Sequence, residues 1–149
     1  MNIDYEAGTG DFLPRVTDSI RQRLQELRHA LLHLHKMLVE SERVTYEKTV
    51  GTIPSPNRFL QLLTSDPWFA WLQPLSQLIV AIDEALDAKE PKAATDAEAT
   101  GLIKAARVLL VASEQGEDFP RHYFDALQRD PDVVLAHADA ARHFNPRKG

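Results

Sequence analysis

Cysteine is absent from this 149-residue chain, which removes a disulfide framework, a thiolate zinc site and a cysteine nucleophile together. The cytoplasm is the compartment such a chain suits. Long apolar runs are missing as well. The longest, Leu78 to Ile82, falls far short of the roughly 20 residues that cross a bilayer, so no membrane span is expected. Met1 to Asp11 is polar and lacks the basic region and apolar run of a secretion signal. Glycines number only 6, with no glycine-rich phosphate loop among them. A nucleophile elbow and a His-Glu-x-x-His pair are also lacking, and no serine stands in a triad context. Positive charge is in short supply: Lys and Arg total 17 against 22 Asp and Glu, for a net charge of −5, and bases alternate with acids. A nucleic-acid partner is therefore not expected, because phosphate binding needs clustered cations.

What is present fits one ordinary domain. Hydrophobic residues make up 44% and charged residues 26%, an average globular balance that argues against disorder. A chain of this length buries about two-thirds of the surface its unfolded form exposes, so one core is expected. Ile20, Leu24, Leu27, Leu31, Leu34 and Leu38 recur at alternating spacings of four and three, the signature of a helix face that packs on other helices. His35 and Glu42 fall on that same face, and Tyr46 lies a short way round from it. A carboxylate aimed at a core requires partners. Either donors from other helices hold Glu42, or it borders a cavity, a metal or a protein interface.

Residues 1–14 read as a polar N-terminal segment, 15–144 as one helical domain and 145–149 as a polar tail. The first helix is expected over about residues 15 to 48, ended by Gly51 and Pro54. Ser55-Pro56, Asp66-Pro67 and Asp130-Pro131 each place a capping side chain before a proline, a helix-start device that appears three times. The first of these opens a short helix through about Leu63. From Trp68 to Leu86 an apolar face is carried by Trp71, Leu75, Leu78, Ile79, Ile82 and Leu86, with a kink or restart predicted at Pro74. Ala88 to Ala94 reads as a linker. Thr95 with Glu98 makes a capping box for a helix through about Ala112, which Gly101 weakens slightly. Ser113 to Glu117 is a turn, followed by short helices at Asp118 to Gln128 and Pro131 to Phe144. No strand pattern competes. The fold expected is all-α, a bundle of five or six helices with one long N-terminal helix.

Six polar side chains lie nearest the expected core: His35, Glu42, Asp83, His122, Tyr123 and His137. Inward histidines and carboxylates from different helices are how iron or manganese sites are built in bundles, so His35, Glu42 and His137 form a candidate site for iron, manganese or zinc. The di-iron bundles use a repeated Glu-x-x-His arrangement, and the single instance here, Glu26 with His29, points away from the leucine stripe. Glu26, His29 and His33 read as a helix exterior where a metal would be picked up only adventitiously. The plainer reading of His35, Glu42 and His137 is a set of satisfied core polar groups paired with a tyrosine, a tryptophan or an arginine. Trp68 and Trp71 stand one turn apart, either buried in the core or forming a flat binding platform or dimer patch. The leucine stripe has the same two options, the chain's own helices or a second copy.

Two stretches carry a resemblance to a family of small bacterial hypothetical proteins. They are Glu42-Arg43 with Tyr46-Glu47, running through Gly51 and Asp66-Pro67-Trp68-Phe69-Ala70-Trp71-Leu72 to Ile82-Asp83, and His122-Tyr123 through Gln128-Arg129-Asp130-Pro131-Asp132-Val133 to Ala136-His137. The resemblance implies a helical fold and brings no activity or functional residue with it. A looser likeness to hemerythrin-like and ferritin-like bundles rests on the inward histidine and carboxylate positions, without their ligand motifs. The functional expectation is a non-enzymatic interaction or scaffold module, with itself as a homodimer or another protein as partner. The alternative is a bundle that holds a metal ion or small ligand in a cavity lined by Glu42, His35, Tyr46 and His137.

Overall fold

The four-and-three spacing of leucines winds into one long helix, α1 (Asp18–Thr49), which at 1.5 Å per residue is about 48 Å long. In this computed structural model, which describes residues 18–88 and 95–145, Leu27, Leu31, Leu34 and Leu38 are completely buried and Leu24 nearly so. Each such leucine contributes about 1.5–3 kcal/mol of transfer free energy. The stripe is thus covered by the chain's own later helices and is not a free seam. The expected N-terminal segment, residues 15–17 of the first helix, most of the linker before Thr95 and the tail after Asn145 lie outside the described residues.

All three proline-marked starts operate as the sequence indicates. Ser55 is extended and its hydroxyl accepts from the Arg58 amide, opening α2 (Pro56–Ser65). Asp66 accepts from the Trp68 amide at 2.8 Å and opens a 3-10 segment, Pro67–Leu72. The helical axis then restarts as α3 (Gln73–Asp87), with Pro74 in the first turn, where its missing N–H costs nothing. The Thr95 and Glu98 capping box is formed in both directions and opens α4 (Asp96–Leu109). After a turn comes α5 (Asp118–Arg129), and Asp130 accepts from the Asp132 amide at 2.9 Å to open α6 (Pro131–Ala141). Two ends fall short of expectation. The fourth helix stops at Leu109, not Ala112, and the last stops at Ala141, although Phe144 beyond it is still buried. The described residues contain six α-helices and no strand.

Side-chain contacts fix the directions of the main pairs. Arg28 and Arg21 of α1 meet Asp83 and Leu86 of α3, and Glu42 and Arg23 of α1 meet Arg129 and His143 at either end of α6. Both α3 and α6 therefore run antiparallel to α1 and flank it. Arg21 Nη2 donates to the Leu86 carbonyl at 2.6 Å, while Arg23 Nε and Nη2 grip the His143 carbonyl at 3.2 and 2.9 Å. Arg21 thus caps a last-turn carbonyl of α3, where a cation also offsets the negative end of the dipole, and Arg23 holds the turn that follows α6. α4 packs on α3 and α1, and α5 on α6 and the 3-10 segment.

Candidate functional site

Glu42 is buried, with its carboxylate in an ion pair with the Arg129 guanidinium at the end of α5. Arg129 Nε also donates to Ser41 Oγ at 3.0 Å, so one planar fork serves two adjacent residues of α1. Of the two readings open to Glu42, donors from another helix is the one realised. Arg129 was not singled out from the sequence, yet it stands three residues after buried Ala126 and so shares the apolar face of α5. A cation on an apolar face is the counterpart of a carboxylate on one.

The remaining inward groups are also paired, each at a different place. His35 Nε2 lies 2.9 Å from Ser76 Oγ of α3, and burial lowers the imidazole below its ordinary value. Asp83 of α3 makes an ion pair with Arg28 of α1, half exposed at the margin of the bundle. His137 Nδ1 lies 2.6 Å from the Tyr123 hydroxyl. Burial pushes that hydroxyl well above its ordinary value and the imidazole below its own, so both are held neutral. The neutral hydroxyl can donate to Nδ1, which leaves Nε2 as the protonated nitrogen.

The candidate metal set is not assembled. His35, Glu42 and His137 go to Ser76, Arg129 and Tyr123, and no group of three or more His, Asp or Glu among the described residues is placed to hold a metal ion. The open grooves along α1 and the end of α6, and between α3 and α4, are bordered by other side chains than Glu42, His35, Tyr46 and His137.

The tryptophans are core elements and make no exposed platform. Trp71 is only 7% exposed, with its ring 5.3 Å from Phe119 and stacked at 5.3 Å and 16° on exposed His122. Trp68 is half-buried and meets Tyr46 edge-on at 5.5 Å, and Tyr46 reaches Phe69 at the same distance. Phe119 stacks on Tyr123, and Tyr123 leans on His137, so Trp71, Phe119 and Tyr123 with the imidazoles of His122 and His137 form one row from the 3-10 segment across α5 to α6, whereas Trp68 belongs to a separate cluster with Tyr46 and Phe69. The indole N–H groups of Trp68 and Trp71 have no acceptor among the described residues.

One concavity lies where none was expected. An open groove of about 1030 Å³ runs between α1 and the end of α6, with Glu26, His29 and His33 on one wall and Asp139, Arg142 and His143 on the other. His143 Nδ1 is 3.9 Å from Glu26 Oε1. The face read as a plain helix exterior is therefore half of a polar groove, because the turn after α6 folds back alongside it. No helix among the described residues is long and apolar enough to cross a membrane. Compared with family models, curated proteins and solved structures, the chain matches none.

Proposed function

We propose that the protein is a non-enzymatic interaction module of the cytoplasm that pairs with a second copy of itself through the outward face of α6. The observation that carries this reading is the character of that helix. Val133, Ala136 and Ala140 enter the core, while Val134 and Leu135 on other sides of the same helix are 44% and 66% exposed. Two large apolar side chains thus stand outward on a helix whose exposed side also carries Asp132 and Asp139, and exposed apolar surface rimmed by polar residues is a usual mark of a protein contact. A contact centred on one helix face is self-complementary under a two-fold axis, the commonest symmetry of small soluble oligomers. The inward polar groups support a non-catalytic role, since each is consumed by a partner inside the chain.

Sedimentation equilibrium tests this directly. A dimer that Leu135→Glu dissociates by at least about tenfold, the effect of placing a charge in a contact core, supports the reading. A wild-type chain that stays monomeric at every concentration reached overturns it and turns the search to a different protein partner.

A further inference from the structure

The chain has six histidines, and all of them lie among the described residues. Four are engaged: His35 with Ser76, His122 on the Trp71 ring, His137 with Tyr123, and His143 opposite Glu26. His29 and His33 are left. Both are exposed, both stand on α1 one helical turn apart, and neither makes a hydrogen bond or ion pair with a described residue. They also face the groove closed on its far side by Asp139, Arg142 and His143.

We propose that His29 and His33 together bind one divalent late first-row transition metal ion, such as zinc or nickel, at the wall of this groove. Positions i and i+4 of a helix bring two side chains to the same side, with Cβ atoms about 5–6 Å apart, a separation that lets two imidazoles chelate one ion. Imidazole suits zinc, copper and nickel, and two rings without an internal partner need give up no existing bond to coordinate. Glu26, one turn before His29, and Asp139 across the groove balance the two arginines of its lining, Arg21 and Arg142, so the groove presents no excess positive charge to a cation. No third His, Asp or Glu completes a closed set, so the ion keeps open positions filled by solvent. Such a site is weaker than a four-ligand structural zinc site and exchanges its metal readily.

The test is calorimetric titration of the untagged, chelator-stripped protein with zinc and then nickel. The expected result is saturable binding of one ion per chain at about pH 7.5 that weakens as the solution is acidified, because protons compete with a metal for its nitrogen ligands. His29→Ala and His33→Ala should each weaken binding by at least about tenfold, since even outer-shell groups are worth that much, and the double variant should abolish it. His29→Gln and His33→Gln serve as a second pair, and an unchanged thermal midpoint shows that the fold is intact. Absence of saturable binding in the wild type, or undiminished binding in the folded double variant, overturns the proposal.

Discussion

Arg129, the last residue of α5, closes on the buried carboxylate of Glu42, 87 positions earlier in the chain, and holds Ser41 with the same guanidinium. Removing one member of such a pair strands the other charge. Arg129→Ala is expected to cost about 3 kcal/mol, the low end for broken buried pairs because the arginine is itself about a third exposed. Replacing both at once, Glu42→Leu with Arg129→Met, should return stability to within about 1 kcal/mol of the wild type. Urea unfolding of the two single variants and the double variant measures the coupling. Additive losses would show that the pair does not interact.

Tyr123→Phe keeps the ring in contact with Phe119 and removes only the hydroxyl that meets His137. The half-buried imidazole then lacks its partner, at an expected cost of about 1–2 kcal/mol. A calorimetric scan should show this as a Tm lowered by about 2–8 °C. An unchanged Tm would mean that the hydrogen bond adds nothing over solvation.

Acid should weaken the fold before its carboxylates titrate. Burial holds His35 and His137 below the ordinary imidazole value of 6.5, so in mild acid the unfolded chain binds more protons than the folded one. The stability these groups leave in place is full above 6.5 and is lost as pH falls through their lowered folded-state values. Urea midpoints measured between neutral and mildly acidic pH should fall accordingly, and His137→Gln should flatten the slope. A midpoint independent of pH across that window would contradict the burial of both rings.

Leucines of like chemistry should differ sharply by position. Leu31→Ala, at a site with no solvent exposure, is expected to cost about 3 kcal/mol and about 10 °C in Tm. Leu60→Ala, on α2 and 60% exposed, should stay within about 0.5 kcal/mol. Equal effects would mean that the α1 stripe is not the centre of the core.

The helices were legible because their signals are local. Ser55, Asp66, Thr95 and Asp130 each act on an amide two or three residues away, and the leucine spacing repeats within a few turns. The burial of Glu42 was legible for the same reason, since it follows from the phase of one helix. Its partner was not, because Arg129 reaches Glu42 only through the antiparallel docking of two elements distant in sequence, and a single sequence carries no record of that distance. The same limit hid the α1 and α6 groove: His143 falls within the stretch expected as helix through Phe144, whereas the helix ends at Ala141 and the turn after it brings His143 beside Glu26. The supposed metal set failed for a further reason. Facing inward from a shared core does not bring side chains to a shared point, and His35, Glu42 and His137 lie on different flanks of α1 and α6.

Because α1 has α3 docked along one flank and α6 along the other, neither half of the chain can shelter it alone. Opening either flank bares part of the same leucine row, so loss of one neighbour undermines the other. The amides from Leu27 to Leu38 should therefore exchange with deuterium only through unfolding of the whole chain, as the slowest set in the protein. α2, whose one buried residue is Leu62, would open independently and report only its own local equilibrium.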